Sequence, residues 1–342
     1  MRIPTGGTPI EELGEFDLIQ QLDRAISPKE WSPVTLGIGD DAAVWRPRPG
    51  RSLVATTDVL VENVDFKREW LEWEDLGYKA LVVNLSDIAA MGAWPRIALV
   101  TLGLRGTERD REMIQLYQGM DELARRCRVD VVGGDVSKSA TIFISVTAIG
   151  DVPVHQQVLT RSGARVGDVL AVTGSLGLAA AGLRVLRQEL GWIDGVPAMR
   201  QAQLRPAPRL REGRLLARLG ASAAIDLSDG LLGDLPKLCE ASDVSATVDV
   251  VRLPVPSSIR WSFPDWLDLA LRGGEDFELL FTAPKDVYYR IERLFQRVGL
   301  RAPVRIGEIA PPGVNGPEVL LRQPSGLTEP ALPGAFTHFG PH

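Results

Sequence analysis

Five short segments end an apolar run with aspartate beside glycine or a small hydroxyl residue. They are GIGDDAAV (37–44), ATTDVL (55–60), NLSDIAAMG (84–92), VVGGDV (131–136) and AIDLSDG (224–230). A sixth, RGGEDFELL (272–280), carries Glu275, Asp276 and Glu278 in the same setting. A carboxylate at a buried strand end is costly unless it is paired or bound to a cation. Hard oxygen donors of this kind suit Mg²⁺, which takes carboxylates, waters and phosphate oxygens. A neighbouring glycine lets a phosphate approach the backbone closely. Taken singly, each segment also reads as a turn or a helix cap: Asp229 could cap a helix starting at Leu231, and Asp87 falls in a helical pattern where it could face solvent. Taken together, with almost no lysine nearby to neutralise them, they point to metal ions and phosphate.

The rest of the polar inventory narrows the chemistry. Cys127 and Cys239 are too few and too far apart for a disulfide framework or a cysteine-rich zinc site. The three histidines are His155, His338 and His342, two of them in the last five residues, so a zinc hydrolase or a histidine-based triad is poorly supplied. No GxxxxGK[ST] phosphate loop and no HRD or DFG kinase signature occurs. Gly37-x-Gly39-x-x-Ala42 matches the dinucleotide fingerprint only loosely, and it places two aspartates where a pyrophosphate would sit. Gly174-Ser175-Leu176-Gly177 follows a strand pattern and opens a helical one; it could hold a phosphate or be a tight turn. With 38 basic and 44 acidic side chains the net charge is −6, which argues against nucleic acid as the main partner.

These residues need a scaffold. The 342 residues suggest two domains, and 45% hydrophobic with 24% charged residues is ordinary globular composition. No basic-then-apolar leader opens the chain and no apolar stretch is long enough to span a bilayer, so the expected setting is reducing, cytoplasmic and membrane-free. Strand patterns fall at 52–61, 97–104, 129–133 and 141–149, with helical patterns at 11–27, 73–91 and 107–127. The polar, turn-rich stretch 150–168 marks the domain boundary. Beyond it, strands are expected at 168–173, 222–227, 245–251, 277–283, 303–309 and 318–322, and helices at 176–190, 208–219, 230–242 and 285–298. Mixed strands with interposed helices predict an α+β class.

The segments, in this order, resemble the thiamine-monophosphate kinase family of the aminoimidazole-ribonucleotide-synthetase-like superfamily. The likeness runs from GEFDLI (14–19) through GIGDDAAV, TTDVLVENVDF, YKALVVNLSDIAAMGA, GGD, LTRSGARVGD, VTGSLG, AIDLSDGL and GGEDFELLF to FTHFG (336–340). The resemblance implies a two-domain α+β protein. Residues 1–153 would form an ATP- and Mg²⁺-binding dimerisation domain, and 154–342 an α/β domain completing the nucleotide and substrate site. It further implies a homodimer and the reaction of ATP with thiamine phosphate to give ADP and thiamine diphosphate. Matched residue by residue, it places Mg²⁺ at Asp41, Thr56, Thr57, Asp58, Asp87, Asp135 and Asp226, with a further metal at Asp229. ATP contacts fall on Tyr117, Gly134, Asp135, Arg161 and Ser228, and substrate contacts on Glu275 and Phe336. Where the family has histidine in the pattern G-x-H-F, this chain reads Asn63-Val64-Asp65-Phe66, so Asp65 stands at a substrate position. An ionised aspartate repels a phosphate that histidine would attract, so Asp65 is expected to face a metal, a water or the cationic thiazolium, the alternative being a mobile, solvated loop.

Two other superfamily activities fit less well. Selenophosphate synthetases carry a reactive Cys or selenocysteine near the N-terminus, which is cysteine-free here, and ribonucleotide cyclo-ligases lack the LTRSGA and FTHFG matches. A non-catalytic nucleotide-binding relative is favoured only by Asp65.

Overall fold

The computed structural model describes residues 7–26, 31–38, 42–187 and 193–331. The chain divides into two compact units, one of residues 1–88 and 94–153, the other of residues 89–93 and 154–342. Among the described residues no helix is long and apolar enough to cross a membrane.

The first unit runs α1 (Ile10–Leu13), α2 (Glu15–Ala25), β1 (Val34–Leu36), β2 (Val44–Trp45), β3 (Arg51–Val61), α3 (Trp73–Ala90), β4 (Trp94–Leu104), α4 (Asp110–Cys127), β5 (Asp130–Lys138) and β6 (Phe143–Pro153). The helix expected over 11–27 is two helices, because Gly14 takes φ +87 and breaks the ladder. Four strands form a sheet in the order β3-β6-β4-β5, antiparallel except for the β4–β5 pair. Ile144, Val146 and Ala148 of β6 point into the core, whereas Leu53 and Val59 of β3 and Leu99 of β4 are exposed on the other face. Helix α3 is apolar nearly all round, and Leu76, Leu81, Leu85 and Ile88 are fully buried, as such a pattern requires. Two glycines bring α3 against α4: a Cβ on Gly77 would lie 1.8 Å from the Leu116 carbonyl oxygen, and one on Gly119 would lie 1.9 Å from that of Glu74.

The second unit contains β7 (Val169–Val172), α5 (Leu178–Leu186), α6 (Val196–Leu204), α7 (Leu210–Leu219), β8 (Ala223–Asp226), α8 (Leu231–Ser242) and β9 (Ser245–Asp249). It continues through α9 (Ser257–Ser262), α10 (Trp266–Arg272), β10 (Leu279–Ala283), α11 (Lys285–Arg297), β11 (Val304–Ala310), β12 (Val319–Arg322) and β13 (Thr328–Pro330). Its sheet has the order β13-β12-β9-β11-β7-β10-β8. The core strands are buried on both faces, so they read as continuous apolar runs and were legible as strands. Helices α6, α9 and α10 and strand β13 carry weaker patterns, which the apolar periodicity of the sequence does not mark.

The turn Gly174–Gly177 joins β7 to α5, and the chain itself supplies the anion there. Asp276 accepts hydrogen bonds from the N–H of Gly177 (2.6 Å) and Ala179 (3.1 Å). Withdrawal from water pushes this carboxyl up to about 7, against the pull of those donors. Of the two readings of the Gly174–Gly177 segment, the tight turn is the one realised, because a carboxylate already holds the donors a phosphate would need.

The α3–α4 contact sets a stability test. Gly119→Ala raises helix propensity by about 1 kcal/mol in a helix interior. It should nevertheless destabilise the protein by about 2 kcal/mol or more, since its methyl group meets backbone rather than a movable side chain. Urea unfolding measures the change, and a neutral or stabilised variant would contradict this packing.

Candidate active site

The first unit brings three of the expected metal residues together. Strand β3 is at the edge of its sheet and alternates, so Thr56 and Asp58 share the face turned toward α3. The Thr56 hydroxyl donates to the Asp87 carboxylate at 2.5 Å. The Asp58 carboxyl lies within hydrogen-bonding reach of Asp87 and is pushed up to about 6, first by burial and then by the charges of Asp87 and Asp65. Asp87, placed on a helix where it could have faced solvent, instead faces the strand.

Asn84, one helical turn before Asp87, holds this arrangement. It is fully buried; its side-chain oxygen accepts the Asp58 backbone N–H (3.1 Å) and its amide donates to the Ala80 carbonyl (3.2 Å). An edge strand leaves such N–H groups without a ladder partner, and a buried one must find another. Asn84 was not singled out in the sequence, although the spacing within NLSD puts it on the same helix face as Asp87.

Other expected residues are elsewhere. Thr57 points to the opposite face of β3, where its hydroxyl donates to the Val146 carbonyl (3.2 Å) and accepts from the Thr147 hydroxyl (3.0 Å). Asp135 is exposed on the far edge strand β5, in register with Thr101, Ser145 and Val59 across the sheet. Three strand spacings separate it from β3, roughly 14 Å. Gly134 beside it packs so tightly that a Cβ would lie 1.8 Å from the Val100 carbonyl oxygen. Tyr117 is on the buried face of α4 at 5% exposure, and burial raises its phenol above the ordinary range. The Asp65 carboxylate accepts the Val61 N–H at 2.8 Å, closing the turn that Asn63 enters with φ +67. Asp41 and Phe336 lie outside the described residues.

In the second unit, the LSDG and GGEDFE segments are drawn together by the β8–β10 ladder, which pairs Asp226 with Leu279. Glu275 N–H donates to the Ser228 carbonyl (2.8 Å) and Phe277 N–H to that of Leu227 (2.9 Å). Glu275 and Phe277 both adopt positive φ, +67 and +48, a costly conformation for side-chain-bearing residues that clusters at functional sites. Asp226 is buried, and Ser228, Asp229 and Glu275 are half-buried around it in sequence and ladder. Gln203 of α6 donates to the Glu275 carboxylate, a contact the sequence does not show because α6 has no marked apolar pattern. Arg161 is exposed, with no ion pair among the described residues.

The acidic segments are not all available for a metal. Glu278 is buried, receives the Nε and Nη2 of Arg209 on its two oxygens and accepts the Thr173 hydroxyl at 2.7 Å. Asp276 caps α5. Asp229 does not cap α8; its carboxylate takes the Lys237 ammonium at 2.6 Å, so the expected shortage of lysine near these carboxylates fails at this position. Among the described residues no group of three or more His, Cys, Asp or Glu side chains is gathered closely enough to hold a metal ion alone. Thr56, Asp58 and Asp87 still fit a hard cation: they offer two mutually repelling carboxylates and a hydroxyl, and Mg²⁺ completes such partial sets with water and phosphate.

Residues 39–152 match the family model AIR synthase related protein, N-terminal domain, and 165–318 match AIR synthase related protein, C-terminal domain. The chain is 39% identical over 280 residues to the thiamine-monophosphate kinase of Bacillus subtilis, a match covering 80% of this chain and 85% of that protein. The chain belongs to the thiamine-monophosphate kinase family. The crystal structure of thiamine-monophosphate kinase from Stenotrophomonas maltophilia K279a superposes with a TM-score of 0.79 at 37% identity, covering 90% of this chain and 96% of that one. AaThiL complexed with AMPPCP and TMP gives a TM-score of 0.74 at 31% identity over 99% of both chains. The family's two-domain α+β fold, expected from the motifs, is the fold observed.

The Asp58–Asp87 pair sets a pH dependence. Asp58 has its folded pKa, about 6, above the ordinary aspartate value of 3.8. Its contribution is therefore fully present below the lower value and is lost as pH rises through the higher one. A bound cation reverses that loss, so Mg²⁺ should raise Tm more at about pH 8 than at about pH 5. Equal Mg²⁺ shifts at both pH values, measured by calorimetry, would count against a cation at this pair.

Proposed function

We infer that this chain transfers the γ-phosphoryl group of ATP to thiamine phosphate, giving ADP and thiamine diphosphate. The observation that carries this reading is the Thr56–Asp58–Asp87 cluster in a chain of the thiamine-monophosphate kinase family. A carboxylate whose pKa is raised by burial and then by a second carboxylate beside it is a poor structural device on its own and part of a good receptor for a cation.

The acceptor is a phosphate monoester whose second pKa is near 6, so it is mostly ionised at neutral pH and needs no general base. One of its oxygens bonds to the γ-phosphorus as the bond to the ADP oxygen breaks, and no proton changes hands. The shortage of histidine agrees with this chemistry. Mutual repulsion of the two phosphates is then the main obstacle, and Mg²⁺ when bound would offset it with positive charge. Thr56, Asp58 and Asp87 would hold that charge in the first unit and Asp226 in the second, with Asn84 fixing the strand that carries Asp58. Asp135 and Gly134 would meet the nucleotide, with Gly134 keeping side-chain bulk off the backbone there. The exposed guanidinium of Arg161 suits a phosphate, and Ser228 and Glu275 would face nucleotide and substrate.

Purified chain with ATP, Mg²⁺ and thiamine phosphate should form ADP and thiamine diphosphate in equal amounts. Asp87→Asn should lower turnover by about 100-fold or more with little change in Tm. Near-native turnover of that variant at saturating Mg²⁺ would sink the metal account.

The same reading includes a homodimer formed through the first unit. Its support is the uncovered sheet face, where Leu53, Val59 and Leu99 are 52%, 48% and 36% exposed. Sedimentation should report a dimer that Val59→Glu shifts toward monomer; a wild-type monomer would refute it. A reducing, cytoplasmic setting suits the two free cysteines, both of them buried.

A further inference from the structure

Asp229 follows the Ser228 loop and is the residue to which the family pattern assigns a further metal. Its surroundings in this chain do not fit one. The Lys237 ammonium, nearly two turns into α8, donates to Asp229 Oδ2 at 2.6 Å and to Asp234 Oδ1 at 2.8 Å. The other Asp234 oxygen accepts the Asp229 backbone N–H at 2.9 Å. The Asp234 side chain is 1% exposed, whereas those of Asp229 and Lys237 are 32% and 38% exposed. The buried carboxylate therefore has two partners, and one is the ammonium that also covers Asp229.

A cation entering at Asp229 would have to push that ammonium away. Doing so would strip a buried carboxylate of its countercharge, which is far costlier than losing a surface pair. Six lysines occur in the whole chain, and one of them stands at this position. We propose that Lys237 is an internal cation that takes the place of a metal at Asp229, so that this chain uses one divalent ion fewer than the family pattern implies. Lys237 is then a positioning residue: it neutralises Asp229 and, through Asp234, pins the Ser228–Asp229 loop to α8. This rests on the proposed reading only for the expectation that Asp229 would otherwise meet a metal.

The test counts bound Mn²⁺ by electron paramagnetic resonance on the full chain, with a non-hydrolysable ATP analogue present. Wild type and Asp229→Asn should bind the same number of ions. Lys237→Met should bind one more, because two carboxylates lose their cation, and the Asp229→Asn/Lys237→Met double variant should lose that extra ion. Lys237→Gln, which keeps a hydrogen-bond donor, covers the case in which the methionine variant fails to fold, and it too should gain one ion. The proposal is overturned if Asp229→Asn binds one ion fewer than wild type, or if neither Lys237 variant gains one. Differences between variants are read independently of turnover, so failure of the transfer reaction and failure of this inference give separate results.

Discussion

Two carboxyl groups, Asp58 and Asp87, are held against their own repulsion, and the first unit is arranged around that constraint. One comes from an edge strand and the other from a helix buried nearly all round. Neither can retreat: α3 is buried along most of its surface, and Asn84 hydrogen-bonds the Asp58 backbone. The charge conflict is stored in a rigid frame, where a cation relieves it better than any rearrangement of the protein could.

That rigidity depends on backbone contacts without side chains between them. Gly77 and Gly119 let α3 and α4 touch, and Gly134 lets β5 close on β4. Dense packing of this kind transmits position with little slack. The face carrying Asp58 is thereby set relative to Asp87, while the opposite face of the same sheet keeps its apolar side chains exposed.

The second unit handles its acids differently. Glu278 is paired with Arg209, Asp276 accepts the N–H groups at the start of α5, and Asp229 and Asp234 share Lys237. Most of its acidic motif is structural electrostatics that fixes loops. Asp226, Ser228 and Glu275 meet at the junction of the LSDG and GGEDFE segments.

Much of this was legible from the sequence. Apolar runs located the core strands, and the aspartate motifs located the family and the chemical class, because those signals are local in the chain. Hydrogen-bond partners are not local. Nothing in NLSD says that Asn84 would serve an edge strand, and nothing in GGEDFE says which of its three acids would be neutralised. Thr57 shows the limit most simply: it is one residue from Thr56 and Asp58, yet strand alternation sends it to the other face. The sequence by itself determined the fold class, the family and an acidic, histidine-poor chemistry. Only the tertiary structure decided which carboxylates face one another and which meet Arg or Lys, because burial and partner geometry arise when distant segments pack.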